Sequence, residues 1–155
     1  MGRTVLLVLP TVLASCGLLG IPTGHDVMGT LSGTAPGGGD VRLAFVGLSL
    51  DETVNPDVPQ IDISLEDGGN FGVDFPTNPA WKVYQVIGYV DSHANRKYDA
   101  GEPRTRNNNK YLVYSRGGTT DLLSGLRAGW NLVTYPYTPG SVTQPKRVTG
   151  YDLSW

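Results

Sequence analysis

Between Asp91 and Glu102 the chain reads Asp-Ser-His-Ala-Asn-Arg-Lys-Tyr-Asp-Ala-Gly-Glu. Oxygen-bearing or polar side chains fall at the first, third, fifth, ninth and twelfth places, the spacing by which one loop wraps a calcium ion. Asp91, Asn95, Asp99 and Glu102 are the expected side-chain ligands, with Glu102 bidentate and the Lys97 carbonyl filling the seventh place. Ca2+ is therefore the one cofactor expected. Outside the cytoplasm such a site need only be weak, because calcium there fills sites with Kd of about 10⁻⁴ to 10⁻³ M. Two residues depart from the pattern. His93 offers nitrogen to an oxygen-seeking ion, and Arg96 stands where the sharp turn favours glycine, adding a Cβ and a positive charge. The competing reading is a solvated loop stapled to itself by Asp–Arg pairs.

The stretch is similar to the calcium loops of secreted bacterial repeat domains, of the form Asp-x-Asn-x-Asn-Gly-x-x-Asp-x-Gly-Glu, and that resemblance implies a loop set between β-strands. Val90 precedes it and Lys110 to Arg116 returns as a strand. From Asp91 to Arg116 the cations Arg96, Lys97, Arg104, Arg106, Lys110 and Arg116 outnumber Asp91, Asp99 and Glu102, a local charge of +3. A cationic surface of this kind suits anionic lipid headgroups, lipopolysaccharide phosphates or an acidic partner protein. Asn107-Asn108-Asn109 marks a turn at its tip.

The N-terminus carries a different chemistry. One positive charge, an apolar run from Val5 to Ala14 and small residues leading into Cys16 form the layout of a secretory signal. The run is interrupted by Pro10 and Thr11, and it falls short of the roughly 20 residues that span a bilayer. Leu13-Ala14-Ser15-Cys16 resembles the lipobox of bacterial lipoproteins at all four positions. That resemblance implies removal of residues 1–15 and lipidation of Cys16 by diacylglycerol and fatty acyl chains such as palmitate. Membrane lipid is then the first partner, and Gly17, where an acidic residue would favour the inner membrane, implies the outer membrane in a Gram-negative envelope. Acyl chains contribute about 0.8 kcal/mol per buried CH₂, so two or three hold a protein on the surface almost permanently.

Residues 16–26 read as a lipidated tether of at most about 35 Å, with His25 a solvated linker residue. Residues 27–155 read as one domain. Gly 21 and Pro 11 are abundant while Lys and Glu are scarce, which excludes a helical bundle. The fold class expected is all-β, an antiparallel sandwich of about seven to eight strands with at most one short helical turn, around Thr119 to Leu126. Val27 to Ala35 and Val41 to Leu50 flank Pro36-Gly37-Gly38-Gly39 and read as a hairpin. Ile61, Ile63 and Leu65 alternate before Asp67-Gly68-Gly69-Asn70, then Phe71, Val73 and Phe75 alternate after it, so a second hairpin burying all six is expected. Further strands are expected at Trp81–Val90, Lys110–Arg116, Trp130–Tyr135 and Arg147–Leu153. The opening Val27 to Thr34 followed by Val41 to Ala44 resembles the first strands of transthyretin-like and carboxypeptidase-regulatory-like sandwich modules, which implies architecture and no activity.

Trp81 and Trp130 are assigned to the core, and Tyr84, Tyr111, Tyr114, Tyr135 and Tyr137 either line a sugar-stacking surface or belong to ordinary strands. A formal charge of −2 gives no attraction for nucleic acid, and one cysteine allows neither an internal disulfide nor a zinc ribbon. No nucleophile with a base, no histidine pair and no phosphate loop is found, so no catalytic residue is assigned. The function expected is a lipid-anchored binding or structural module of the bacterial cell envelope, outside the cytoplasm. Its partners would be anionic envelope material or another envelope protein. The alternative is a lipid-anchored enzyme acting on a glycan or peptide.

Overall fold

The computed structural model describes residues 24–80, 82–117, 125–138 and 140–155. The segment expected as a signal, Cys16, most of the expected tether, Trp81 and most of the helical turn expected near Thr119 lie outside the described residues. The protein is an all-β sandwich, with nine strands in two sheets among the described residues. The smaller sheet has the order β4 (Asn70–Val73), β1 (Val27–Ser32), β9 (Leu153–Ser154). The larger runs β3 (Ile61–Ile63), β2 (Asp40–Gly47), β5 (Val83–Asp91), β6 (Lys110–Ser115), β7 (Gly129–Thr134), β8 (Val142–Thr143). All pairings are antiparallel except β1 with β9. No helix among the described residues is long and apolar enough to cross a membrane.

The long apolar runs of β2 and β5 have a physical cause, because the large sheet is covered on both faces. Leu43, Phe45, Tyr84, Val86 and Leu112 point between the sheets and meet Val27, Phe71, Val73, Tyr151 and Leu153. Ala44, Val46, Ile87 and Tyr89 point the other way, under Val54 and Tyr98 from the connecting loops and beside Tyr111 of β6. Trp130 packs at the edge of the inter-sheet core, its ring stacked on Phe75 with centroids 4.4 Å apart. Gly29 has its own reason on β1: a Cβ there would lie 2.2 Å from the Tyr151 carbonyl oxygen, so glycine lets the returning chain lie against the strand.

Both expected hairpins are corrected. β1 and β2 do not pair, since the turn at Pro36–Gly38 carries the chain from the small sheet to the large one. Likewise β3 pairs with β2 and β4 with β1, and the turn at Asp67–Gly69 again changes sheets, with a single bridge between Leu65 and Phe71. Alternation decides which face of a strand is apolar and leaves the partner open. Ile63, Phe71 and Val73 are buried, but on the edge strand and the crossing segment Ile61 and Leu65 remain 37% and 39% exposed.

Two termini of the expected domain also shift. His25 is not a free tether residue: its Nδ1 lies 3.1 Å from Asp74 Oδ1, and its ring fills the space a side chain on Gly72 would need. Asp26 accepts the N–H of Phe75 on its carboxylate and the N–H of Val148 on its carbonyl, so the fold is fastened at the residue just before β1. The run expected as one strand from Arg147 to Leu153 touches β1 by a bridge at Val148 and becomes a strand only at Leu153.

Candidate functional site

The loop from Asp91 to Glu102 leaves the end of β5, the central strand that positions it. Asp91 is the last residue of that strand and has a fully buried side chain. Its Oδ1 accepts the N–H of Asn95 and its Oδ2 the N–H of Arg96 at 2.9 Å, which folds the chain back within one turn. Arg96 and Ala94 both adopt positive φ, 62° and 54°, the left-handed conformation that the sharp turn demands. The other end is tied by Glu102, also buried, whose Oε1 accepts the N–H of Ser92 at 2.7 Å and whose Oε2 accepts the N–H of Asp99 at 3.0 Å.

Asp91 also meets a residue that sequence reasoning did not single out. Arg42, on the neighbouring strand β2, places Nε 3.0 Å from Asp91 Oδ2, Nη2 2.9 Å from Asp40 and Nη1 3.6 Å from Asp62. Burial opposes charge on Asp91, yet the N–H groups of Arg96 and Asn95 and the Arg42 guanidinium outweigh it and hold the carboxyl below its usual range. Burial likewise works against the charge of Arg42, and three carboxylates raise its pKa in spite of it. The pair is thus formed between the loop and β2, not by the loop's own arginines. The available signal was one arginine inside an otherwise apolar strand, flanked by Asp40.

The expected ligand set is divided by these contacts. Asp99 and Glu102 are brought together, Asp91 is turned to Arg42 and backbone N–H groups, and Asn95 spends its oxygen on the N–H of Lys97 and its amide nitrogen on Asp99 Oδ2. His93 joins in their place. Its Nδ1 lies 3.2 Å from Asp99 Oδ2 and 3.2 Å from Glu102 Oε1, and the ligand atoms of these three residues all fall within 4.8 Å of one another.

Next to the loop is a cleft of about 380 Å³ lined by residues including Thr53, Gln60, Lys97, Tyr98, Asp99 and Arg104. Gln60 fixes its wall by accepting the N–H of Tyr98 at 2.8 Å and donating to its carbonyl at 2.9 Å. Arg104 lies over the Tyr98 ring, 5.9 Å from its centroid, and neither it nor Lys97 forms an ion pair with a carboxylate among the described residues. Lys110 is spent elsewhere, on the carbonyl of Gly150.

The tyrosines do not make one platform. Tyr84 is buried against Phe45, Tyr111 bonds Glu52 and Asn107 on the outer face, and Tyr114 packs on Trp130 toward the other face. Tyr135 and Tyr137 are exposed beyond β7. Compared with protein-family models, curated proteins and solved structures, the chain finds no match.

Proposed function

We propose that this protein is a lipid-anchored module of the bacterial cell envelope that binds anionic envelope material through the loop end of its sandwich. The observation that carries the binding half is the cleft beside Tyr98, where Lys97 and Arg104 have no carboxylate partner among the described residues, in a chain whose net charge is negative. A cationic pair with an aromatic wall recognises phosphate or carboxylate groups by charge and by apolar contact together. The anchoring half rests on Leu13-Ala14-Ser15-Cys16 and on the short stretch between Cys16 and the point where Asp26 fastens the fold. The sandwich then stands within about 35 Å of the headgroups.

Two measurements test it. Mass spectrometry of the N-terminal peptide from membranes of a lipoprotein-processing bacterial host should find an acylated Cys16 and no residues 1–15; an unmodified Cys16 overturns the anchor. Binding to lipopolysaccharide or phosphatidylglycerol vesicles should weaken with salt and with Lys97→Ala plus Arg104→Ala, and binding that ignores both overturns the surface.

A further inference from the structure

We propose that His93, Asp99 and Glu102 form a binding site for a divalent cation of the zinc class. The inference goes beyond the anionic-surface reading and does not depend on it, since Lys97 and Arg104 supply no ligand.

The three donors are a ring nitrogen and two carboxylate oxygens, the mixed set that zinc and its neighbours accept and that a calcium shell of six to eight oxygens does not use. Their spacing fits. Tetrahedral zinc with bonds of about 2.0 to 2.1 Å separates neighbouring ligand atoms by about 3.3 Å. His93 Nδ1 stands 3.2 Å from each carboxylate oxygen before any ion is considered. One ring nitrogen can hold one proton, whereas two carboxylates face it, so a single N–H must be shared between two acceptors. A dication satisfies both oxygens and the nitrogen lone pair together.

The surroundings orient the donors as an outer shell does. The Ser92 N–H points to Glu102 Oε1 at 2.7 Å, and Asn95 Nδ2 points to Asp99 Oδ2 at 2.8 Å. Glu102 is fixed, with its side chain only 3% exposed, while His93 and Asp99 are open to solvent at 65% and 44%. One rigid ligand on the protein side and two accessible ones on the solvent side allow an ion to enter and leave a fourth position for water. Calcium is less well served, because Asp91 is committed to Arg42 and the Asn95 oxygen to the N–H of Lys97.

The test uses the full chain purified in detergent, with Zn2+, Co2+ and Ca2+ as separate probes. Zn2+ should raise Tm by several degrees, and Co2+ should give the intense visible absorption of a tetrahedral site. His93→Ala changes an exposed side chain and should fold normally, yet bind Zn2+ about tenfold more weakly or worse and lose the Co2+ spectrum; it retains His25, which serves as the control histidine. The proposal is overturned if Zn2+ leaves Tm unmoved, if the zinc shift survives His93→Ala, or if Ca2+ gives the larger shift and His93→Ala does not diminish it.

Discussion

The hydroxyl of Tyr151 donates to the carbonyl of Lys110 at 2.6 Å and takes the place of a rung in the β5–β6 ladder. Those strands pair at Val83 with Val113 and at Tyr84 with Leu112, a register that would go on to set Gln85 against Tyr111 and Val86 against Lys110. Instead the strands part, and the same hydroxyl accepts the Val86 N–H at 3.4 Å. Beyond the split, the Gln85 side chain reaches Asn107 at 2.8 Å, so the loop returning from the candidate site is held by side chains where backbone pairing ends.

Tyr151→Phe keeps the ring in the core and removes the bridge. The buried Val86 N–H then loses its partner and the Lys110 carbonyl keeps only the Gln85 amide at 3.4 Å, at a cost of about 1 to 3 kcal/mol. Urea unfolding should show a lower midpoint with an unchanged slope.

Tyr89 presents the opposite case. Its side chain is buried and its hydroxyl makes no hydrogen bond with any described residue. Tyr89→Phe should therefore raise stability at neutral pH by about 1 kcal/mol. Burial first, then nearby Asp91 and Asp62, push the phenol up to about 12. A raised value means that the fold favours the neutral form, so this contribution is intact below about pH 10 and is lost as pH rises through about 12. The phenylalanine variant should lose that alkaline step in a series of Tm measurements.

Asp91 works at the acid end. Its folded pKa lies below its ordinary value, so the ionised form is favoured by folding and the stabilisation is complete above about pH 4. It is lost as pH falls through the depressed value. Asp91→Asn should melt at lower temperature at pH 7, and its Tm should vary less than the parent's on going from about pH 4 to pH 2. An unchanged acid profile would show that Arg42 does not depend on this partner.

Ile63 and Ile61 separate a reading of alternation from a reading of packing. Ile63→Asp places a carboxylate among buried apolar side chains and should cost more than about 3 kcal/mol, whereas Ile61→Asp, on the open side of an edge strand, should stay within about 1 kcal/mol. Circular dichroism melts of the two variants give the comparison.

Strands were legible wherever the chain is apolar for long enough, as in β2, β5, β6 and β7. Partners were not. Ile61 to Phe75 carries clear alternation around Gly68-Gly69, but β2 offers β3 an edge and β1 offers β4 another, and those contacts are distant in sequence. The loop ends were legible from Asp91 and Glu102, because acids at the first and last places of a twelve-residue stretch imply a closed turn. What the acids close around was not, because Arg42 comes from β2 and His93, a departure from an oxygen shell, becomes a member of the cluster once Asp91 turns away.

The parallel pairing of β1 with β9 has a consequence for the order of events in folding. β1 is the middle strand of the small sheet, and its Thr30 bonds Asp152, 122 residues farther along the chain. Contacts of that separation make folding slow, because a long loop must close before any pairing energy is gained. A chain made from its N-terminus therefore presents β1 without its β9 partner until the distant residues have followed. The topology delays completion of the small sheet until the last residues are available, at the cost of an apolar strand exposed to other chains while it waits.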